Sequence, residues 1–557
     1  MSPRPSESSV RVITPIEVSG VGQSVATRNS SHGSAVPRIV AACVSGVLCR
    51  VCVDPSAPWP ALLASWALLI VALEGSPLGQ AAFLGLLQGL VANGLGFYWL
   101  YGGLREVLAL SIVKASFGSA VLIAALALRS AIVAICYRLA RRRHWPPLIS
   151  FPIALVSIEL LYPALFPWYT GHFGLTLPIW SQLAAFGGPL AVSFWIAVVN
   201  AGFAQAWLDR QRRHESLSAL AVALTTLGAV SLCGWQQLRS IGQQVRSAEL
   251  ARIGVVQGNL GPARLETRDP IRIYRQASAE LLRREPNLDL VVWPETAIYF
   301  RTPVSRLRSF IRDDVWRASR PGEEDLTVPV LMGMSLKQDD QRCESGPCPD
   351  GRVVPLSNSA VLVSRRGQLL GSYDKRTLMP FGESSLVPRF LRDETKVREE
   401  FRPGNSDAAL ILGPHRLGLS ICYEDILQRT FRAAVLASKP NLLINLTSDS
   451  WFRKSAASGL HLNLARLRAV EHRRYLLRAT TTGVTSLVAP TGQIVWALPP
   501  DSVASGVVSV PLLHGSTVYQ RFGDWPWFSV VAVQVVLCCV TRSAGRRLGS
   551  RGARAPA

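Results

Sequence analysis

The sequence predicts a multi-pass α-helical membrane bundle of about eight helices joined to an extracytoplasmic α/β domain. Three observations point there. Long apolar runs fill the first 240 residues, arginine clusters follow alternate runs, and short β-rich runs alternate with helical patterns from about 240 to 522.

The apolar runs come first. Hydrophobic residues make up 49% of the 557 and charged residues 17%, against roughly 25% charged in ordinary soluble chains. Mean hydropathy is +0.24. Candidate transmembrane helices lie at 39–53, 59–75, 78–101, 105–137, 147–166, 180–207 and 215–235, each near the length that spans a bilayer. The first is interrupted by Arg50, and the fourth is longer than a span requires, which predicts tilt or a surface extension. An eighth run, Trp525 to Val540, opens on Trp-Pro-Trp and fits an interfacial aromatic anchor. Residues 1–37 lack periodicity and read as a disordered tail with no secretory signal peptide.

The charge pattern orients these helices. A formal net charge of +22 raises the question of nucleic acid binding, since basic patches attract phosphate. The charge instead concentrates beside apolar runs, in Arg141 to Arg143, Arg210 to Arg213 and Arg542 to Arg551. Such clusters fix topology and face anionic headgroups, and no RNA-binding signature accompanies them. If every intervening helix crosses, all three clusters share one side, which the positive-inside rule makes cytoplasmic. The segment from about 240 to 522 is then extracytoplasmic. The expected organisation is a cytoplasmic tail over 1–37, a bundle of about seven helices over 38–238, a catalytic domain over 239–522, a last helix over 523–541 and a basic cytoplasmic tail over 542–557.

The extracytoplasmic segment reads as α/β. β-rich runs recur at Ala251 to Gln257, Leu288 to Trp293, Val328 to Met334, Ser359 to Ser364, Arg416 to Ile421, Leu442 to Leu446 and Val484 to Ala489. Helical patterns intervene at Pro270 to Arg284 and Gly459 to Leu477, where Leu460, Leu464, Leu467 and Val470 form one face.

Three stretches carry chemistry. Val291-Val292-Trp293-Pro294-Glu295 ends a hydrophobic strand in a carboxylate. Tyr373-Asp374-Lys375-Arg376 is followed by Pro380-Phe381-Gly382-Glu383. Leu419-Ser420-Ile421-Cys422-Tyr423-Glu424-Asp425 ends a strand in a thiol. Alone, each has a bland reading: a helix-start carboxylate, a surface charge and a buried small hydrophobe. Together they supply what acyl transfer through a thioester needs. A thiol of pKa about 8.5 needs a base to take its proton, a part for Glu295, and the ammonium of Lys375 can stabilise a tetrahedral oxyanion.

In this order and context the three stretches resemble the nitrilase superfamily with its Glu-Lys-Cys triad. With the helical N-terminus and final helix, residues 40–540 resemble its membrane-bound branch, the apolipoprotein N-acyltransferases. Further matching stretches are Val255-Val256-Gln257-Gly258-Asn259, Ser357-Asn358-Ser359 and Asp449-Ser450-Trp451-Phe452, continuing through His461 to Thr480. The resemblance implies a nitrilase-like α-β-β-α sandwich and a ping-pong reaction. On that resemblance Cys422 is expected to take an acyl group from a phospholipid, phosphatidylethanolamine, and to pass it to the α-amine of a diacylglyceryl-cysteine lipoprotein. It further implies that Glu383 supports the lysine and that Tyr423, Glu424, Asn358 and Trp451 support the site or bind substrate. No cofactor, no metal and a monomer are expected. The chain departs from the family pattern at 261–266, at 447–450 and at 480–483.

Two rival readings stand beside this one. A membrane-tethered amidase or hydrolase would use the same triad and give the acyl group to water. A catalytically silent scaffold or transporter would explain the apolar runs and the intramembrane charges Glu74, Lys114 and Glu159, but needs no triad and shows no inverted repeat. Cys343 and Cys348 bracket a Gly-Pro loop and are either a local disulfide or two free thiols.

Overall fold

The computed structural model describes residues 35–54, 56–106, 110–260, 269–317, 325–339, 355–380, 383, 401–452 and 455–534. The tail before 35, the departing loop at 261–266, Cys343, Cys348 and the basic tail at 542–557 lie outside the described residues.

The N-terminal half is helical. Its elements are α1 (Ala35–Val51), the pair α2 (Pro60–Ala64) and α3 (Ala67–Leu73), α4 (Leu78–Phe97), α5 (Leu100–Glu106), α6 (Ile112–Arg141), α7 (Pro147–Leu161), α8 (Pro178–Ser181), α9 (Ala184–Leu208) and α10 (Arg213–Arg246). Among the described residues four helices, α4, α6, α9 and α10, are long and apolar enough to cross a membrane, and α2 with α3 and α7 are shorter apolar segments. The outer faces of α6 and α10 leave Val113, Phe117, Leu224 and Leu232 exposed, as helices solvated by lipid must.

Three expected helices differ in detail. The 59–75 run breaks at Ser65 and Trp66. The buried amide of Asn200 repairs the break: its Oδ1 accepts the N–H groups of Trp66 and Ala67 at 2.9 and 3.0 Å, and its Nδ2 donates to Leu62 O at 2.9 Å. An apolar medium demands such satisfaction of freed backbone groups. The 180–207 run separates α8 from α9, and α9 itself kinks at Gly187-Gly188-Pro189, where Gly188 has φ 67°. A Cβ there would also meet the Tyr519 ring at 2.6 Å. The 105–137 run starts late, because Ser111 caps α6 by accepting the Lys114 N–H at 3.3 Å.

Two of the three intramembrane charges, Glu74 and Glu159, have local partners. Glu74 caps α3, where it meets Arg138 at 3.7 Å and Arg141 at 3.0 Å and accepts the Tyr137 hydroxyl. Lys114 is exposed in the first turn of α6, and Glu159 accepts the Thr170 N–H at 2.7 Å. These are helix-end and bundle contacts, which weakens the transporter reading.

The C-terminal half is a two-sheet sandwich. Its strands are β1 (Leu250–Gln257), β2 (Leu290–Val292), β3 (Ile298–Pro303), β4 (Val330–Lys337), β5 (Leu356–Val363), β6 (Leu369–Asp374), β7 (Leu410–Leu412), β8 (His415–Ile421), β9 (Leu442–Thr447), β10 (Leu476–Thr480), β11 (Ser486–Val488), β12 (Ile494–Ala497) and β13 (Ala504–Pro511). One sheet runs β13-β1-β2-β4-β5-β6 with β3 on β4, the other β12-β11-β10-β9-β8-β7. The parallel pairs β1/β2/β4 and β8/β9/β10 form the centres.

Alternation along these strands makes two faces. Val255, Val292 and Leu331 of the first sheet meet Leu419, Ile444 and Leu477 of the second in one apolar core, each buried side chain worth about 1.5–3 kcal/mol. The outward residues Val256, Val291 and Trp293 pack under α11 (Pro270–Arg284), where Tyr274 stacks on Trp293 with ring centroids 5.3 Å apart. On the far side Leu443, Leu476 and Val488 lie under α12 (Gln428–Ser438) and α13 (Ala457–His472). The expected helix at 459–477 therefore ends earlier, at His472, and Leu476 and Leu477 belong to β10. All four residues of its expected face are buried.

The sandwich sits on one end of the bundle. The inter-sheet core is continuous with the bundle's own apolar interior. Asn463 of α13 reaches Val53 O, Arg473 reaches Gln182 and Gln237, and Arg429 pairs with Asp524. At the other end the start of α7 meets α9 through Leu148 and Gln205, beside the Arg141 to Arg143 cluster. The last run begins helically at Trp525 and is described as far as residue 534.

Candidate active site

Three strand ends converge. After β2, Trp293-Pro294-Glu295 turns sharply, with Thr296 at φ 53°. The turn rests on Gly333 of β4, where any Cβ would lie 2.3 Å from Pro294 O and 2.7 Å from Glu295 Cα. After β6, the Lys375 N–H donates to Asn358 O at 2.8 Å, which carries the lysine along β5. After β8, Cys422 opens a 3-10 turn to Ile426 with φ 52°. A left-handed conformation at a non-glycine residue costs of order 1 kcal/mol or more and marks functional turns. Here it lifts the thiol off the strand end.

The side chains meet in the space between the sheets. Lys375 Nζ lies 2.7 Å from Glu383 Oε2 and 3.7 Å from Glu295 Oε1. Asn358 Nδ2 donates to Glu295 Oε1 at 2.7 Å and to Glu383 Oε1 at 3.1 Å. Glu383 also accepts the Met379 N–H at 2.8 Å. Glu295 Oε2 is buried without a hydrogen bond among the described residues, which leaves one basic oxygen available for a proton.

Glu424 fastens the cysteine turn to the lysine loop. It accepts the Ile421 N–H at 2.8 Å, the Arg376 and Thr377 N–H groups at 2.7 and 2.9 Å and the Tyr373 hydroxyl at 2.9 Å. The Tyr423 hydroxyl donates to Leu165 O of the bundle at 2.5 Å. Trp451 lies in the 3-10 turn Asp449–Phe452, and its side chain is outside the described residues.

Burial and the three neighbouring charges set the proton affinities within this group. Burial pushes the Cys422 thiol up and the Glu295 charge adds to this, while Lys375 opposes it. Burial also raises Glu295, and Glu383 adds to the rise against the pull of Lys375. Burial disfavours charge on Lys375, yet Glu383, Cys422 and Glu295 outweigh it and raise the ammonium. The lysine is thus a fixed cation, and the carboxyl is a stronger base than an exposed one.

Beside Cys422 opens an apolar cleft lined by Phe97, Trp99, Phe166, Met379, Tyr423 and Phe452, with His461 on one wall. Phe97, Trp99 and Phe166 belong to the bundle, and sequence reasoning missed them. Their only signal is aromatic residues at the end of an apolar run. Trp99 meets Phe452 edge to face at 4.7 Å, and Phe166 meets Tyr423 at 6.4 Å. Behind the cysteine turn Asp425, Asp449, His461 and Arg478 form a buried ionic group, also unforeseen as a cluster. The departures at 447–450 and 480–483 lie next to the triad: Thr481 Oγ1 donates to Glu295 O at 2.7 Å and its N–H to Thr447 O at 3.0 Å.

Comparison with known proteins agrees with both halves. Residues 45–202 match the apolipoprotein N-acyltransferase N-terminal domain, and residues 252–512 match the carbon-nitrogen hydrolase family. An apolipoprotein N-acyltransferase of Geobacter metallireducens is 30% identical over 545 residues, covering 91% of this chain and 96% of its own. One from Pseudomonas paraeruginosa is 27% identical, covering 92% and 96%. Among solved structures, an amidase from Nesterenkonia sp. covers 47% of this chain and 90% of its own at 20% identity and a TM-score of 0.31. With both family segments present in order and the Geobacter relative matched along nearly its whole length, the chain belongs to the apolipoprotein N-acyltransferase family.

Proposed function

We propose that this protein N-acylates the diacylglyceryl-cysteine N-terminus of lipoproteins, with phosphatidylethanolamine as acyl donor and Cys422 as the acyl carrier. One observation carries the reading: a thiol at a strained strand end, beside a buried carboxylate and ammonium, opens onto an apolar cleft whose far wall is the helical bundle.

In the first half-reaction Glu295 takes the Cys422 proton as Sγ attacks the sn-1 ester carbonyl. The oxyanion forms beside the Lys375 ammonium, which donates to it. Collapse breaks the bond from carbonyl carbon to the sn-1 oxygen, Glu295 returns the proton to that oxygen, and lysophospholipid leaves. In the second half the α-amine of the acceptor attacks the thioester and Glu295 accepts the amine proton. The carbon–sulfur bond then breaks, and Glu295 reprotonates the thiolate. The products are an amide and free Cys422.

Family membership and the carbon-nitrogen hydrolase segment support an acyl-transferring enzyme. The Arg141 to Arg143 cluster, at the bundle end remote from the sandwich, supports a catalytic domain outside the cytoplasmic (inner) membrane of a bacterium. We read the protein as a monomer, because both lipid substrates can enter a cleft formed by one chain. Purified protein is incubated with phosphatidylethanolamine and then with a diacylglyceryl-cysteine peptide. Movement of the acyl group to the peptide amine is expected. Loss of the acyl group to water alone would instead establish a hydrolase.

A further inference from the structure

His461 sits where the cleft meets the cysteine turn, and none of the steps above uses it. It is buried on α13. Its Nδ1 lies 2.8 Å from Asp449 Oδ1 and its Nε2 lies 3.0 Å from Asp425 Oδ1. Two carboxylate acceptors call for two ring donors, and only the imidazolium has both. Burial opposes that charge, but Asp425 and Asp449 outweigh it, and the imidazole is raised to about 9 despite the nearby Arg478. Arg478 in turn pairs with Asp425 and lies 4.0 Å from Asp449 Oδ2. Two anions and two cations thus balance charge in a buried group, the arrangement a low-dielectric site tolerates.

The location of each member gives this group a purpose. Asp425 is on the turn that Cys422 opens, Asp449 opens the turn that carries Phe452, and Arg478 is on β10. The His461 ring meets the Phe452 ring edge to face at 5.9 Å, and Phe452 in turn meets Trp99 of the bundle. One side chain therefore ties the nucleophile turn to the cleft wall.

We propose that His461 is a positioning residue: by donating to Asp425 and Asp449 together it sets the Cys422 turn against the Phe452 wall, so that an acyl chain in the cleft presents its ester carbonyl to Sγ. This rests on the acyl-transfer reading above. A misplacement of about 1 Å between reacting groups costs roughly 100-fold in rate, and that sets the size of effect expected.

The test uses the full-length detergent-purified protein with His461→Phe, which keeps the ring and loses both donors, and His461→Gln, which keeps one. Acylation of Cys422 from phosphatidylethanolamine is timed by intact mass against donor concentration, and alkylation by iodoacetamide is timed in parallel. The expected result is a kcat for acylation down roughly 100-fold in the Phe variant, partly restored in the Gln variant, with KM within about twofold. A purely space-filling histidine predicts the Phe variant at wild-type rate, and that result, or a change confined to KM, overturns the proposal. If the Phe variant does not fold, wild-type rates for both reactions in the Gln variant overturn it equally. Wild-type protein that is alkylated but never acylated would refute the acyl-transfer reading instead. The positioning role would then be judged on alkylation alone, where slowing in the variants is expected and an unchanged rate overturns it.

Discussion

Glu424 and Arg376 stand 48 positions apart, yet one carboxylate oxygen of Glu424 accepts the Arg376 backbone N–H at 2.7 Å and the Thr377 N–H at 2.9 Å. The other oxygen holds the Ile421 N–H and the Tyr373 hydroxyl. A single side chain thereby fixes the separation between the turn that presents Cys422 and the loop that presents Lys375. Glutamine offers one acceptor oxygen where the carboxylate offers two. Glu424→Gln is therefore expected to lose about 1–3 kcal/mol of stability and roughly 100-fold in acylation, measured by urea unfolding and by timed intact mass.

Glu383 is expected to act through Lys375. Its two oxygens hold Nζ at 2.9 and 2.7 Å, so Glu383→Gln leaves an ammonium that Glu295 can draw out of the oxyanion position. Loss of one oxyanion donor costs about 100- to 1000-fold. The variant should approach that range in single-turnover acylation, with donor binding retained in a vesicle-flotation assay.

The pH dependence follows from Glu295. Burial raises this carboxyl, and only its ionised form accepts the Cys422 proton. Acylation should therefore rise with pH through an ionisation above the ordinary glutamate value of about 4.3. Glu295→Gln should remove that limb together with most of the rate. A rate that falls across the same range would give Glu295 the opposite part.

The stability of the fold should carry the His461 charge. A histidine raised to about 9 contributes stability that is complete below its unfolded value of about 6.5 and is lost as pH rises through about 9. The wild-type thermal midpoint should fall more steeply between pH 7 and 10 than that of His461→Gln. Parallel curves would contradict the assignment.

Trp99 tests the cleft. It closes the bundle side of the space beside Cys422 and packs on Phe452 at 4.7 Å. Trp99→Ala should raise KM for long-chain phospholipids several-fold while short-chain donors are spared, as loss of apolar contact predicts.

Much of this was legible along the chain because strands and their ends are local. The runs at 251–257, 416–421 and 442–446 fall inside observed strands, and Glu295 and Cys422 each follow an expected run, whereas Lys375 follows β6, which no run marks. The helix at 270–284 has the expected ends because Asp269 caps it and Pro270 starts it. What was not legible depends on distant partners. The break at Trp66 is repaired by Asn200, 134 positions away, and no local signal marks it. The Gly187-Gly188-Pro189 kink did have a signal, since such a triplet rarely continues a helix. The expected runs leave out six strands, β3, β6, β7, β10, β12 and β13. β10 follows α13 after a three-residue turn at 473–475 and was absorbed into its apolar pattern. The cleft wall from Phe97, Trp99 and Phe166 exists only once the bundle and the sandwich have docked.

The most direct measurement is the mass of the protein itself after exposure to phosphatidylethanolamine vesicles, in wild type and in Cys422→Ala. A single fatty-acyl adduct that maps to Cys422 in the wild type, and is missing from a folded Cys422→Ala protein, is the predicted result. An adduct of equal yield in both proteins, or acyl transfer by the alanine variant, would contradict a thioester on Cys422 and with it the mechanism.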